Sequence, residues 1–259
     1  MKNYTTSYGR VSTHRDIILL RVDRKRLLTV TCDSAGAIGS KSGDTIKAEP
    51  KLVGKMTARV ALMELLAVGA DPIAMSGTFS VEPKPTGDSV IEGIRQELKD
   101  SHLNQIPIIC SSEKNFKVKQ TGIGITAIGL VSNTSLKIGR CEPGDDVVAL
   151  GEPHIGHEVI QAERKRRIAN ALDVIRCRKK SFVHELIPVG SRGMYHEAGV
   201  MATDSKLVFE PSITRQAELK KSAGPATVLL MAVRNVELDR VLNTAGRGGI
   251  RKIGIMRVK

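Results

Sequence analysis

Asp33 stands where a strand pattern gives way to a loop of glycines and small residues. Residues 27–31, rich in Leu, Val and Thr, favour a strand that ends at Asp33, and the loop that follows contains Gly36, Gly39 and Lys41. Such a loop lets the backbone approach a bulky anion, and a carboxylate at its start would face the accompanying cation. The stretch predicts a site for a nucleotide with Mg²⁺. The alternative interpretation is an ordinary strand and turn in which Asp33 faces water.

A second carboxylate, Glu64, lies on a long helical pattern. From Pro50 onward apolar residues recur at spacings of three and four, and Gly69 and Pro72 end the helix. A charge on a mostly buried helix is costly unless it meets a cation or hydrogen-bond donors. Glu64 is therefore a candidate ligand-facing residue, unless that side of the helix faces solvent.

Two more carboxylates lie at predicted strand ends. Glu113 follows a short buried strand at residues 106–110, within a polar run that also supplies Ser112, Lys114 and Asn115. The fourth carboxylate, Asp16, opens a strand at residues 17–22, and the hairpin partner of that strand is the one that leads to Asp33.

The remaining pattern predicts two mixed α+β domains, residues 1–145 and 146–259, with a boundary in the Glu-Pro-Gly-Asp run near residue 145. Residues 1–13 lack a period and are predicted to be flexible or lightly docked. Asp88 is the expected N-cap of the second helix. Further strands are predicted near residues 73–81, 121–131, 147–151, 186–189, 206–209, 228–233 and 253–258, and further helices at 156–176, 215–221 and 236–242.

Composition narrows the class of protein. No apolar run reaches eighteen residues and the N-terminus has no signal-peptide core, so we expect a soluble cytoplasmic protein without membrane contact. The four cysteines form no C-x-x-C pair, which excludes a zinc knuckle or a redox motif of that kind. The net charge of +13 attracts polyanions, but aromatic residues make up 3% and Trp is absent, so nucleic-acid binding is a minority interpretation.

The order of these parts resembles the superfamily of aminoimidazole ribonucleotide synthetase (PurM-like), hydrogenase maturation factor HypE, thiamine monophosphate kinase and selenophosphate synthetase. The resemblance covers residues 16–151. It is carried by the Asp33-Ser34 strand end with its loop, by Ala67-Val68-Gly69-Ala70-Asp71-Pro72, by Ser111-Ser112-Glu113-Lys114 and by residues 121–129.

The resemblance implies an ATP-dependent enzyme that holds Mg²⁺ on acidic residues of the first domain and dimerises through the sheet of that domain. By motif position the metal ligands fall on Asp33, on Glu64, where relatives commonly have Asp, and on Glu113, where relatives often have Gly-Gly-Asp-Thr. Asp16 resembles an acidic position that opens some members. ATP contacts would come from these segments, namely from Asp33, Gly36, Gly39, Lys41, Glu64, Ser112, Glu113, Lys114 and Asn115.

Phosphoryl transfer needs charge neutralisation and alignment more than covalent chemistry, and converging carboxylates with Lys and Asn donors supply both. The sequence identifies no catalytic base. The chain ends without the C-terminal cysteine of HypE. Five segments are similar to the α-ribazole kinase branch: residues 32–39, 58–64, 112–116, 188–193 and 222–227.

That similarity implies phosphorylation of the 5′-hydroxyl of α-ribazole, a nucleoside-like acceptor, in cobamide lower-ligand assembly. Two alternatives remain open. One is a thiamine monophosphate kinase-like or other ATP-using enzyme of the superfamily. The other is a non-catalytic regulatory or nucleic-acid-binding relative that uses the basic stretches at 164–167 and 176–180.

Overall fold

The computed structural model describes residues 2–6, 9–212, 216–234, 240–241 and 249–259. The chain divides into two compact units, Met1–Leu136 (unit 1) and Lys137–Lys259 (unit 2). Each unit has its own main sheet and is described by itself. The predicted domain division between residues 145 and 146 stays a prediction.

The elements of unit 1 follow one another as a mixture of strands and helices. In chain order they are β1 (Lys2–Thr6), β2 (Gly9–His14), β3 (Ile17–Arg21), β4 (Arg26–Gly36), β5 (Ile38–Gly39), β6 (Ile46–Lys47), α1 (Pro50–Ala67), β7 (Asp71–Phe79), a kinked π-helical turn (Pro83–Gly87), α2 (Asp88–Asp100), β8 (Ile108–Ser112) and β9 (Gly122–Ser132).

Seven of these strands form one sheet in the order β1-β2-β3-β4-β9-β7-β8. Strand β9 is antiparallel to both β4 and β7, and β7 is parallel to β8, so β4, β7 and β8 run in the same direction. Their C-terminal ends therefore lie at one end of the sheet, together with the N-terminal ends of β3 and β9. We call this the site end of the sheet.

Helix α1 packs on one face of the sheet, against β4 and β9. The Thr31 hydroxyl on β4 donates a hydrogen bond of 2.7 Å to the Ala61 carbonyl on α1. Helix α2 crosses α1 at two glycines, because a Cβ at Gly54 or at Gly93 would overlap backbone atoms of the other helix. The two helices thus pack in backbone contact, which fixes α1 as a rigid support for the sheet.

Unit 2 has a five-stranded antiparallel sheet in the order β11-β13-β10-β14-β12, and α5 packs on it over a buried apolar cluster. In chain order its described elements are β10 (Asp146–Leu150), α3 (His157–Arg164), α4 (Ala171–Cys177), β11 (Val183–Pro188), α5 (Gly193–Asp204), β12 (Leu207–Pro211), α6 (Gln216–Lys220), β13 (Leu229–Val233) and β14 (Ile250–Val258). The fold of both units is mixed α and β, as the sequence predicts.

Two predictions near the N-terminus differ from the structure. Residues 2–6 and 9–13 lie in β1 and β2 of the sheet, where backbone pairing holds them without an apolar period. The strand predicted to end at Asp33 is longer, because β4 pairs residue by residue with β9 as far as Gly36. Asp33 is therefore inside a strand.

Two predicted helices also differ. The helix expected over 156–176 is split into α3 and α4, because Arg166 adopts a left-handed conformation and Asn170 caps a new helix through a capping box with Asp173. Asp88 is the first residue of α2, whereas Gly87 occupies the N-cap position. The helix predicted at 236–242 lies almost entirely outside the described residues.

Among the residues described, the model contains no helix whose length and apolar character would let it cross a membrane. All four cysteines are free thiols.

Candidate functional site

Asp33 lies near the C-terminal end of β4, on the face of the sheet that α1 covers. Burial raises the pKa of its carboxyl group to about 6, although a hydrogen bond from the Ser34 backbone opposes this effect. No ion pair joins Asp33 to another residue in the part of the chain that the structure describes. A half-buried carboxylate without a cation is unfavourable, so Asp33 gains from a cation taken up from solution.

Asp16 lies in the two-residue turn between β2 and β3, at the same end of the sheet. Because Ile17 pairs with Thr31, the register places Asp16 beside Cys32, and the side chains of Cys32 and Asp33 project from opposite faces of β4. The backbones of these neighbouring strands are roughly 4.8 Å apart. Asp16 and Asp33 therefore lie at the same end of the sheet but on opposite faces, and a metal ion bound by both carboxylates stays a prediction.

Glu64 is half-buried on α1, three residues after Ala61. The Ala61 carbonyl accepts the hydrogen bond from Thr31, which precedes Asp33 by two residues. Helix α1 and strand β4 therefore touch within one helical turn of Glu64. That the Glu64 and Asp33 carboxylates bind a common ligand stays a prediction.

Glu113 follows β8 at the site end and organises the loop after it. Its backbone amide donates to the carbonyls of Phe79 and Val81, both at 3.0 Å. Its Oε1 atom accepts hydrogen bonds from the amides of Asn115, at 2.6 Å, and Phe116, at 3.1 Å. The carboxylate therefore holds the loop through hydrogen bonds from its backbone.

Glu113 and Asp33 lie at the same end of the sheet but are not adjacent. Strands β7 and β9 separate β8 from β4, so roughly 14 Å lies between the two backbones. Magnesium holds its ligand oxygens at about 2.1 Å. The Asp33 and Glu113 carboxylates would therefore bind different ions at the same end of the sheet. Ser112 is half-buried at the end of β8, and Lys114 and Asn115 are exposed beyond it.

The glycine-rich loop between β4 and α1 folds back onto the start of β9. The buried Asp44 carboxylate accepts hydrogen bonds from the Lys41 amide at 2.8 Å and from the Thr121 amide and hydroxyl at 2.6 and 2.7 Å. A Cβ at Gly39 would overlap the Thr121 hydroxyl, so internal packing requires glycine there. A Cβ at Gly36 would meet nothing within 4 Å, which leaves its backbone open to solvent.

Lys41 extends from this loop to Glu82, which follows β7 at the site end. The Lys41 ammonium group forms a salt bridge with the Glu82 carboxylate, which also accepts a hydrogen bond from the Thr86 hydroxyl. Burial alone would raise the pKa of Glu82, but the Lys41 and Thr86 hydrogen bonds outweigh burial and hold this pKa at about 2. The predicted phosphate-contacting lysine thus already has a carboxylate partner that ties its loop across the sheet end.

Glu82 and Asp44 are absent from the predicted site residues. Glu82 has the signal that singles out Glu113, namely a carboxylate directly after a strand, and that signal could have identified it. Asp44 has no local signal, because its partner Thr121 lies 77 positions away along the chain.

In unit 2, three residues of metal-ligating type lie within 4.8 Å of one another: Glu142, Asp145 and His184. The His184 Nδ1 atom is 2.8 Å from Asp145 Oδ2, and its Nε2 atom is 3.3 Å from the Arg234 guanidinium. That guanidinium already supplies a cation beside the cluster. The arrangement is a charge network at the start of β10.

The two segments of unit 2 that resemble the α-ribazole kinase branch meet in the fold. The Gly190 carbonyl accepts hydrogen bonds from the amides of Gly193, at 3.3 Å, and Ala223, at 3.2 Å. The Thr227 amide donates to the Ala223 carbonyl at 2.7 Å. These contacts explain the turn residues structurally, and contact with an acceptor stays a prediction.

Comparison with known proteins found one similar family and several similar solved structures. Residues 14–131 match the family model described as AIR synthase related protein, N-terminal domain. The matched segment contains Asp16, Asp33, Glu64 and Glu113. No curated protein matches the chain.

Solved structures share the fold of the chain over most of its length. Thiamine-monophosphate kinase from Stenotrophomonas maltophilia K279a is 16% identical, with a TM-score of 0.64 over 96% of this chain and 89% of that one. AaThiL, the Aquifex aeolicus enzyme complexed with AMPPCP and TMP, is 14% identical, with a TM-score of 0.62 over 94% of this chain and 85% of that one.

T. maritima PurL complexed with ATP is 14% identical, with a TM-score of 0.63 over 93% of this chain and only 42% of the PurL chain. At these identities the likeness establishes the shared mixed α+β fold.

Proposed function

We propose that the chain is an ATP- and Mg²⁺-dependent kinase of a small molecule, with the nucleotide bound at the site end of the unit 1 sheet. One observation carries the proposal: the half-buried Asp33 carboxylate, whose pKa burial raises to about 6, forms no ion pair within the described residues. Perturbed carboxylates of this kind cluster at functional sites. The ATP named in the PurL structure supports the choice of nucleotide.

The residues at the site end fit Mg²⁺ because this ion prefers carboxylate oxygens. Asp33 would hold one ion and Glu113 a second, with Asp16 as a further carboxylate at the same end of the sheet. Bound Mg²⁺ supplies neutralisation of the triphosphate charge. The chain itself contributes the open backbone at Gly36 and the Lys41–Glu82 salt bridge, which keeps the glycine-rich loop in place across the strand ends.

Thiamine monophosphate is the first acceptor to test, because two of the structural neighbours are thiamine-monophosphate kinases. α-Ribazole is the second, on the resemblance of residues 188–193 and 222–227 to that kinase branch. Both acceptors require the same chemistry, transfer of the γ-phosphoryl group of ATP to an oxygen of the acceptor, so the same assay separates them.

The test is incubation of the full chain with ATP, Mg²⁺ and each acceptor separately, followed by mass measurement of the product. We expect a gain of one phosphate on one acceptor. Asp33→Asn should reduce turnover roughly 100-fold, since loss of a metal-binding carboxylate removes about 3 kcal/mol of transition-state stabilisation.

The matched control is Asp23→Asn. Asp23 lies in the turn between β3 and β4, at the opposite end of the sheet, and Asn can accept the same turn hydrogen bonds from the Lys25 and Arg26 amides. Turnover of this variant should stay within about twofold of wild type. Failure of the folded chain to bind ATP, or normal turnover of Asp33→Asn, would refute the proposal.

A further inference from the structure

Unit 1 contains a second concave surface, formed between the C-terminal end of α2 and strand β8. This cleft has a volume of about 690 Å³. Its apolar lining comes from Leu98, Ile106 and Ile108, of which the first two are buried. Its polar lining comes from exposed side chains. We call this concave surface the α2–β8 cleft.

The polar groups of the cleft are cationic or neutral. Arg95, Lys99, His102 and Asn104 line it, and none of these four side chains forms an ion pair with any residue that the structure describes. The cleft contains no carboxylate. Burial raises the pKa of the Cys110 thiol on β8, and the positive charge of Arg95 partly opposes this rise.

Three acidic residues of α2 pair with bases on α1 and not with the cations of the cleft. Each of three acids on α2 pairs with a base on α1: Glu92 with Lys51, Glu97 with Arg59, and Asp100 with Lys55. The sequence of α2 therefore separates charge by face, with its paired acids directed to α1 and Arg95 and Lys99 directed to the cleft.

Arg95 and Lys99 are four residues apart and therefore neighbours on the helix surface. Like charges at this spacing destabilise a helix slightly, whereas a bound anion would neutralise them. The guanidinium group adds a planar fork of donors that matches a phosphate or carboxylate group.

His102 adds a donor at a position that usually belongs to glycine. It has a φ angle of 58°, and the Leu103 amide donates to the Leu98 carbonyl at 2.7 Å, which is the bond of a Schellman motif. Glycine adopts this left-handed conformation without penalty. Histidine at position 102 pays this conformational penalty, and its imidazole group lines the cleft.

From this arrangement we propose that the α2–β8 cleft binds a small organic anion, a phosphate ester or carboxylate joined to an apolar group. Arg95, Lys99 and His102 contact the anionic group, and Leu98, Ile106 and Ile108 contact the apolar part. This site is separate from the site end of the sheet, so the inference goes beyond the proposed kinase function.

The test is a nitrogen-15 NMR titration of the full chain with three probes: phenyl phosphate, benzoate and inorganic phosphate. Phenyl phosphate should cause saturable shifts of the backbone amides in residues 95–110 and bind at least roughly tenfold tighter than inorganic phosphate, because its ring covers the apolar floor. Benzoate separates a carboxylate preference from a phosphate preference.

The double variant Arg95→Gln with Lys99→Gln should weaken phenyl phosphate binding at least roughly tenfold. Its matched control, Arg24→Gln with Lys25→Gln, removes the same charge from the β3–β4 turn and should bind within about twofold of wild type. Absence of saturable shifts in residues 95–110, or equal weakening in both double variants, would overturn the proposal.

His102→Gly separates binding from folding, since the two effects have opposite signs. The variant should raise the melting temperature by relieving the left-handed conformation and should weaken phenyl phosphate binding several-fold. Unchanged binding would remove His102 from the site. Phosphate transfer from Mg-ATP should be normal in all of these variants, so failure here is distinguishable from failure of the proposed function.

Discussion

At the scale of single residues, the ionised Asp33 carboxylate should weaken the metal-free fold. Its pKa is about 6 in the folded chain against an ordinary value of 3.8, so the native state binds the proton more tightly than the unfolded state. The contribution of this group to stability is therefore greatest below pH 4 and is lost as pH rises from 4 through 6. The loss attributable to this one group is about 3 kcal/mol at pH 7.

We expect the free energy of unfolding of Asp33→Asn, relative to wild type, to increase by about 2–3 kcal/mol between pH 4 and pH 7 without divalent metal. Urea denaturation at both pH values measures this difference. Adding Mg²⁺ at pH 7 should then stabilise the wild type more than the variant, because only the wild type offers the Asp33 carboxylate. A difference that does not vary with pH would contradict the assigned burial of Asp33.

At the scale of elements, the contact between α1 and α2 depends on two glycines. A methyl group at Gly54 would overlap the Val90 carbonyl, and one at Gly93 would overlap the Lys51 carbonyl. Gly54→Ala and Gly93→Ala should each lower the free energy of unfolding by about 1–3 kcal/mol, measured by chemical denaturation. The control is Gly199→Ala in α5, where a Cβ meets nothing within 4 Å and should stabilise by about 0.5–1 kcal/mol.

The sequence predicts best those elements whose apolar or β-favouring residues recur with a clear local pattern. The α1 pattern begins at Pro50 in both sequence and structure, and the strand before Asp33 follows from its β-favouring residues. The salt bridge between Lys41 and Glu82 could not be predicted, because it joins residues 41 positions apart through a loop with no period. The split between α3 and α4 depends on the left-handed backbone conformation of Arg166. Nothing in the basic sequence of that stretch indicates this conformation.

At the scale of the molecule, one face of the unit 1 sheet carries apolar side chains away from α1. Ile18 and Ile109 lie on this face, with exposed fractions of 39% and 74%. The register places Val30 and Ile128 between them on the same face. Exposed apolar surface of this kind marks an interaction site, and the predicted homodimer through the first-domain sheet would cover it.

We therefore expect a solution mass of twice 28.0 kDa, measured by light scattering after size-exclusion chromatography across a range of concentrations. Ile109→Lys should shift the mass toward the monomer, because a charge within an apolar interface costs several kcal/mol when it is buried without a partner. Val258→Lys, at a 69% exposed position in unit 2, is the matched control and should leave the mass unchanged. Because Ile109 is exposed in the single chain, its substitution should not alter the unfolding transition of the monomer. A wild-type monomer at every concentration, or an Ile109→Lys dimer as stable as wild type, would exclude dimerisation through this face.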